Sequence, residues 1–214
     1  MYVLYLHGFG SGPLSKKAVI LREALEKKGV PVDVPNISLP DFEHMRVSLM
    51  VGRALELLSG RGPAVVVGSS LGALVALHAA GAASNVSALV LLAPALSPDE
   101  RWKLWIGPEG LERWKREGTR PFFNHVTGKD GPIDFGFYLD LVELAKPPAP
   151  RVPVRIVHGR RDEAVPFEVS EAFAKAHPSL VRLTLVDDDH SLLAHTDLIE
   201  REVEAAMADV RTTS

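Results

Sequence analysis

Short apolar segments alternate with longer helix-like segments along most of the 214 residues, and this alternation limits the folds open to the chain. The apolar segments are rich in β-branched residues and lie at 2–6, 30–34, 64–67, 88–92, 152–157 and 181–186. Helix-like patterns lie between and after them, at 14–28, 41–59, 70–82, 166–176 and 191–209. Nearly continuous apolar strands are typical of a parallel sheet that is covered on both faces. The pattern therefore predicts an α/β protein with a doubly wound, mostly parallel six-stranded sheet, in which sites form beyond the carboxyl ends of the strands.

The alternation is interrupted once, after the fourth predicted strand. Residues 97–146 are much longer than the dozen or so residues that a crossover needs. The segment starts with Ser97-Pro98-Asp99-Glu100, a pattern typical of a helix start, and 127–131 has the composition of a hairpin loop. Its aromatic residues include Trp102, Trp105, Trp114, Phe122 and Phe137. Because aromatic residues in long insertions often line sites, we expect 97–146 to form a cap on a single domain spanning 1–214. A segment that merely covers apolar sheet surface is the alternative.

The composition excludes several kinds of site. The chain has no cysteine, which removes disulfides, thiolate metal ligands and a cysteine nucleophile. A net charge of −3, without a long Lys/Arg run, favours neither nucleic acid nor an anionic membrane as a partner. No apolar run is long enough to span a bilayer, and no secretion signal precedes the first strand. We therefore expect a cytoplasmic protein.

The amide residues and the balance of Arg to Lys are unusual in this sequence. Gln is absent, Asn is rare, and Arg is more frequent than Lys. Depletion of thermolabile residues is typical of a heat-adapted protein. A GC-rich genome would produce much of the same bias, so both explanations remain open.

The strongest single motif follows the third predicted strand. Gly68-Ser69-Ser70-Leu71-Gly72 matches the pattern Gly-x-Ser-x-Gly, between an apolar strand and a helix of small residues. In such a turn the central serine has strained backbone, and side chains in place of either glycine would collide with neighbouring elements. The helix N-terminus also directs N–H groups to the place where negative charge develops in acyl transfer. The spacing therefore predicts Ser70, rather than Ser69, as a nucleophile.

A serine nucleophile needs a base and an orienting acid, and in this setting the chain order is Ser, Asp, His. Asp162 follows the fifth predicted strand and His190 follows the sixth. Because the carboxyl ends of parallel strands lie at one edge of the sheet, both residues are predicted to lie near Ser70.

Other imidazoles and acids compete for these roles. We expect His78 and His195 to be packed or solvated helix residues, and His158 to be a structural residue of a turn. The remaining histidines are His7, His44, His125 and His177. The competing acids are Asp187, Asp188 and Asp189. Immediate sequence neighbours of a histidine rarely face it, and one of these acids is expected to cap the last helix.

The loop after the first strand reads His7-Gly8-Phe9-Gly10-Ser11-Gly12. We predict an oxyanion hole formed by the backbone N–H groups of Phe9 and Leu71, because Gly8 allows the following N–H to turn toward a substrate. Taken alone, the loop could be a simple glycine-rich connection. Its glycines lack the spacings of nucleotide-binding loops, so no nucleotide site is expected.

With these motifs in order, the chain resembles the α/β-hydrolase superfamily along nearly its whole length. The run from His7 to Ala18 resembles the small bacterial YqiA-like serine esterases. This resemblance implies a carboxylic ester hydrolase in which Ser70, Asp162 and His190 form the catalytic triad. The inserted segment is similar to the hairpin-plus-helix cap of a mitochondrial relative that cleaves acyl glucuronides and acyl thioesters.

The function expected from these observations is a serine hydrolase that cleaves a small-molecule ester or thioester through an acyl-enzyme on Ser70. No His/Asp cluster has ligand spacing, so we expect neither a metal nor an organic cofactor. An amide or C–C bond hydrolase with the same triad remains open, as does a non-catalytic binding protein on this fold. A haloalkane dehalogenase is excluded because its nucleophile would be an Asp at position 70. The oligomeric state is not predicted.

Overall fold

The computed structural model describes residues 1–212, with side chains through residue 210. The strands are β1 (Tyr2–Leu6), β2 (Val32–Asp33), β3 (Ala64–Ser69), β4 (Val86–Leu92), β5 (Thr119–Asn124), β6 (Lys129–Asp134), β7 (Val154–Gly159) and β8 (Val181–Val186). The helices are α1 (Lys16–Lys27), α2 (Val47–Leu58), α3 (Leu71–Ala82), α4 (Pro98–Ile106), α5 (Pro108–Glu117), α6 (Phe135–Glu143), α7 (Glu168–Ala176) and α8 (Thr196–Thr212). A 3-10 turn at Leu193–His195 leads into α8.

Six strands form one sheet in the order β2-β1-β3-β4-β7-β8, and each neighbouring pair is parallel. The predicted α/β-hydrolase fold is therefore confirmed. The chain moves outward from β1 to β2 and then in the opposite direction from β3 to β8. The order thus reverses between β1 and β3, and the crevice beyond the carboxyl ends at such a reversal is the usual place for a ligand.

Helices cover both faces of the sheet, and β1 shows how the sequence directs this. Leu4 and Leu6 pack in the layer that contains α2 and α3, whereas Val3 and Tyr5 pack in the layer that contains α1 and α8. Alternate strand residues point to opposite faces, so a strand buried on both sides must be apolar throughout. The continuous apolar runs in the sequence have this origin.

The chain between β4 and β7 forms α4, α5, a β5–β6 hairpin and α6. Helix α4 begins with Pro98 in its first turn, as the sequence predicts. The hairpin loop lies earlier than predicted, because Lys129 already pairs with Asn124 at the end of the ladder. The Asn124 side chain explains the shift: its Oδ1 accepts the N–H groups of Val126 at 2.9 Å and Thr127 at 3.3 Å, which turns the chain there.

Two other boundaries differ from the predictions for physical reasons. Strand β2 has only two residues, because the prolines at 31 and 35 flank it and cannot donate to a ladder. Helix α2 begins at Val47 rather than near residue 41. The side chain of Asp41 accepts the His44 N–H at 2.8 Å, which forms a local turn that competes with the helix.

Within residues 1–212, no helix is both long and apolar enough to cross a bilayer.

Candidate active site

Ser70 occupies the sharp turn between β3 and α3. Its backbone has φ 54° and ψ −116°, a strained conformation for a residue with a side chain. The Ser70 N–H donates to the Leu92 carbonyl at 2.9 Å, and the Ser70 carbonyl accepts from Ala95 N at 3.2 Å. These bonds fix the turn to the end of β4, so the neighbouring strand maintains the strain.

The two glycines of the motif are required by close contacts. A Cβ at Gly72 would overlap the carbonyl oxygens of Leu6 and His7 at the end of β1. A Cβ at Gly68 would lie 2.8 Å from the backbone N of Ala73 in the first turn of α3. The collisions predicted from the sequence are therefore present, and they explain why only glycine fits on either side of the turn.

The loops after β7 and β8 are joined by backbone contacts. The N–H of Arg160 donates to the Val186 carbonyl at 2.8 Å, and that of Arg161 donates to the Asp188 carbonyl at 3.0 Å. A Cβ at Gly159 would overlap this second loop, so its absence permits the close approach. The contact brings Asp162 to His190, with Nδ1 of the ring 2.7 Å from Oδ2 of the carboxylate.

The other oxygen of the Asp162 carboxylate is fixed by its own loop. Oδ1 accepts the backbone N–H groups of Ala164 at 2.9 Å and Val165 at 2.8 Å. Burial alone would raise the pKa of this carboxyl, but hydrogen bonds from His158, His190 and the backbone hold the pKa well below its usual range. Asp162 is therefore a fixed anion beside the His190 ring.

His158 has a larger role at the site than the structural turn residue expected from the sequence. Its side chain is fully buried, and Nε2 lies 3.2 Å from Asp162 Oδ2 and 3.0 Å from the Val165 carbonyl. Because both neighbours only accept hydrogen bonds, Nε2 carries the proton. Nδ1 then accepts from Ser170 Oγ at 2.7 Å. The spacing of four residues to Asp162 was the one sequence signal for this contact.

Lys17 was not identified from the sequence as a residue of this region. It lies near the start of α1, and its Nζ donates to the His190 carbonyl at 3.1 Å. Burial lowers the pKa of the Lys17 ammonium to about 8, against the opposing attraction of Asp162, Asp188 and Asp189. The Lys17 ammonium thus adjoins the backbone of His190, although α1 lies far from His190 in sequence.

The competing acids make other contacts. Asp188 Oδ2 lies 3.0 Å from both Ala194 N and His195 Nδ1, so it caps the turn that leads into α8. Asp189 Oδ1 accepts from Ser191 N at 2.8 Å, and the Asp187 carboxylate lies 2.8 Å from Nε of Arg161. Over the described residues, none of these three carboxylates hydrogen-bonds to His190. His195 is held by Asp188 at the end of the 3-10 turn.

The two N–H groups predicted to form an oxyanion hole belong to Phe9, in the loop after β1, and to Leu71, at the start of α3. Within residues 1–212, neither the Phe9 N–H nor the Leu71 N–H donates to a protein acceptor. His7 supports the loop: its Nδ1 lies 3.0 Å from the Gly8 carbonyl, and its Nε2 accepts from Ile37 N at 3.1 Å. Burial lowers the pKa of the His7 ring, which favours this neutral form. Two N–H groups near Ser70 are therefore available to a ligand.

A cavity of about 410 Å³ opens beside these groups. Ser70, His190, Phe9 and Leu71 all line it, and Asp162 lies behind His190. The other lining residues include Leu96, Pro98, Trp102, Trp105, Val165 and Val169. The guanidinium of Arg101 also reaches the cavity wall, but it donates to the carbonyls of Glu163 and Ala164. Away from Ser70 and His190 the walls are mainly apolar, although Arg101 and Glu163 also line them.

Of the five cap aromatics, only two line this cavity. Trp102 forms part of its wall, and Trp105 is 63% exposed at its mouth. Trp114, Phe122 and Phe137 are buried in the core that joins the cap to the sheet domain.

In the described residues the Ser70 hydroxyl makes no hydrogen bond to the His190 ring. Contacts of this kind in hydrolases often tighten only when substrate binds.

Several solved structures are similar to this one over nearly the whole chain. Alpha/beta hydrolase domain-containing protein 10 from mouse superposes with a TM-score of 0.78 at 22% identity, covering 97% of this chain and 90% of the other. Est1E from Butyrivibrio proteoclasticus, solved with ferulic acid, has a TM-score of 0.77 at 20% identity and covers 99% and 89%. An alpha/beta-superfamily protein from Xanthomonas campestris pv. campestris has a TM-score of 0.63 at 25% identity and covers 100% and 99%.

The sequence comparisons agree with the fold. No curated protein matches the chain. The model of an uncharacterised protein family, UPF0227, matches residues 2–207, nearly the whole sequence. The resemblance to YqiA-like proteins of the α/β-hydrolase superfamily is therefore confirmed, and the chain belongs to the UPF0227 family.

Proposed function

We propose that this protein is a serine hydrolase that cleaves carboxylic esters or thioesters through an acyl-enzyme on Ser70. One observation carries the proposal: the Asp162–His190 hydrogen bond of 2.7 Å ends at a cavity that Ser70 also lines. A fixed carboxylate, an imidazole and a serine in this order are the groups that acyl transfer requires. Est1E, which was solved with ferulic acid bound, shares the fold and supports the proposal only by analogy.

In the proposed mechanism His190 removes the proton of Ser70 as Oγ attacks the carbonyl carbon of the substrate. The tetrahedral oxyanion accepts hydrogen bonds from the N–H groups of Phe9 and Leu71, which have no protein acceptor within residues 1–212. The protonated imidazole then gives its proton to the leaving alcohol or thiol, and the acyl-enzyme forms. His190 next activates a water that attacks the acyl carbon, and the acid leaves with Ser70 restored.

Asp162 has the supporting role in each step. Its negative charge stabilises the imidazolium that forms when His190 accepts a proton. Its Oδ2 also holds the Nδ1 proton, so that Nε2 is the basic nitrogen. The depressed pKa of Asp162 keeps the carboxylate ionised at neutral pH.

The cavity indicates the kind of substrate. Its walls include Trp102, Leu96 and Val169, and Arg101 is already bonded to backbone carbonyls. Because most of the other lining residues are apolar, these walls favour an uncharged acyl or aryl group over a charged one. We propose small-molecule esters or thioesters with such a group as the substrate class.

The experiment that tests the proposal is a panel of aryl esters, acyl thioesters, anilides and β-diketones. Wild type should hydrolyse esters or thioesters fastest, and Ser70→Ala should lose that activity by about 10³-fold or more in kcat. Ser69→Ala is the matched control and should keep it. Preference for anilides or β-diketones would instead support the amide or C–C bond alternative, and no turnover by folded wild type would support a binding protein.

A further inference from the structure

We infer that the cap holds the oxyanion donor Phe9 in position, so that it contributes to the rate of acyl transfer as well as to substrate binding. This inference rests on the proposed function, since it concerns the same site. It differs from the expectation that the cap only covers the sheet or only selects substrates. Three sets of contacts support it.

The first contact joins the tip of the β5–β6 hairpin to the loop after β1. The N–H of His125 donates to the Gly10 carbonyl at 2.8 Å. Gly10 has φ 65°, and a Cβ there would lie 2.8 Å from the Phe123 carbonyl oxygen. The glycine therefore allows the hairpin to approach the oxyanion loop at backbone distance.

The second contact lies two residues further along the same loop. A Cβ at Gly12 would lie 2.8 Å from Cγ2 of Val126, the residue after His125 in the hairpin. The glycine-rich composition of the loop thus has a second explanation besides the turn at Gly8. At Gly10 and Gly12 the loop has no side chain that would keep the hairpin away.

The third contact is made by the ring of Phe9 itself. Its centroid lies 5.0 Å from that of Trp102, 5.6 Å from Phe122 and 5.4 Å from Phe137. These three residues belong to the cap and are buried. Aromatic pairs at such distances stabilise each other beyond the area that they bury. The side chain of the donor residue is therefore embedded in the cap, and Phe42 is its one ring contact from outside it among the described residues.

Together these contacts hold the donor from two sides. The cap packs around the Phe9 ring, and the hairpin bonds to the carbonyl of Gly10, the next residue. The Gly10 carbonyl shares a planar peptide unit with the Ser11 N–H, and that N–H donates to the Gly8 carbonyl at 3.3 Å. The Gly8 carbonyl in turn shares a peptide unit with the Phe9 N–H, so the bond from His125 constrains the direction of the donor through this turn. A donor contributes to an oxyanion hole only when it is already oriented toward the developing charge.

The matched pair His125→Pro and His125→Ala tests this inference. Both variants lack the imidazole, but only proline lacks the N–H that bonds to Gly10. With a small acetyl ester, we expect kcat of His125→Pro to be about 10- to 100-fold below that of His125→Ala, with KM little changed. Melting temperatures of both variants establish that they are folded.

A second measurement separates the oxyanion hole from general loss of structure. N–H donors stabilise an oxygen anion better than a sulfur anion, so the rate ratio between an ester and its thiono ester reports on the hole. The ratio should fall in His125→Pro and keep its wild-type value in His125→Ala. Phe9→Ala, which retains the N–H but removes the ring that the cap surrounds, should lower the ratio as well. If His125→Pro does not fold, Phe9→Ala alone decides.

The outcomes distinguish this inference from the proposed function. If wild type hydrolyses no ester or thioester, the proposed function fails. If wild type is active but folded His125→Pro and Phe9→Ala keep its kcat and its ester-to-thiono-ester ratio, the proposed function stands and this inference is overturned.

Discussion

Nε2 of His158 lies 3.2 Å from Oδ2 of Asp162, and both side chains are completely buried. The same oxygen faces His190, while the other carboxylate oxygen accepts two backbone N–H groups. Asp162 is thus held by donors on both oxygens, and it has little freedom to rotate. The acid is fixed by a buried network, whereas the base lies at the cavity.

His158→Leu tests the importance of this network. The change leaves Ser170 Oγ and the Val165 carbonyl without the ring, and each buried polar group left unpaired costs about 1–3 kcal/mol. We expect a clearly lower melting temperature and a kcat that falls less than in Asp162→Asn, because the backbone still holds Oδ1. Ser170→Ala, which removes only the outer hydroxyl, should show smaller effects of the same sign. A wild-type melting temperature and kcat in His158→Leu would contradict this account of the network.

Asp162→Asn should reduce kcat by roughly 10²-fold or more. The amide cannot stabilise the imidazolium, and its NH₂ group can hold the ring in the wrong tautomer. Asp187→Asn is the control, because that carboxylate is exposed and paired with Arg161. Steady-state kinetics on one ester would compare them. Equal losses in the two variants would show that the acid is assigned incorrectly.

The cap aromatics should separate into two groups. Trp105→Ala should raise KM for longer acyl or aryl esters several-fold, because its exposed ring borders the cavity and apolar contact contributes about 25 cal/mol per Å². Trp114 is 1% exposed and donates from Nε1 to the Ile133 carbonyl at 2.8 Å. Trp114→Ala should therefore destabilise the protein by about 3–5 kcal/mol.

Chain-length series and urea unfolding would measure these two effects. The division would be wrong if Trp105→Ala unfolded the protein while Trp114→Ala left its stability unchanged.

Burial of the Lys17 ammonium should make the stability of the protein depend on pH. Its pKa is about 8 in the folded protein, below the usual value of 10.5, because of burial. Between these two values the unfolded chain binds more protons than the folded chain, so the free energy of unfolding gains a term that rises with pH. Below pH 8 the ammonium is charged in both states and this term is constant.

Urea unfolding from pH 7 to pH 10 would measure this effect. The difference in unfolding free energy between wild type and Lys17→Met should grow in favour of wild type above about pH 8. Lys16→Met changes an exposed neighbour and should follow wild type. A constant difference between wild type and Lys17→Met across this range would contradict the burial of the Lys17 ammonium.

The sheet could be predicted from sequence because each buried strand needs a continuous apolar run, and parallel strands end at one edge. The positions of Ser70, Asp162 and His190 after three different strands are enough to bring them to that edge. The strained turn was also predictable, since Gly68 and Gly72 are consequences of close backbone contacts.

The remaining features depend on contacts between distant elements. Lys17 lies on α1, and no local pattern indicates that its ammonium reaches the carbonyl of His190. The role of His158 follows from the burial of its ring beside α7, where Ser170 lies. The cap aromatics look alike in sequence, and only packing separates Trp105 at the cavity from Trp114 in the core.

Labelling with a fluorophosphonate probe, followed by peptide mapping, identifies the nucleophilic serine. We expect a single adduct on Ser70 in wild type, its loss in folded Ser70→Ala, and its retention in Ser69→Ala. An adduct on Ser69 with Ser70 unmodified, or no adduct at all on folded wild type, would contradict this expectation.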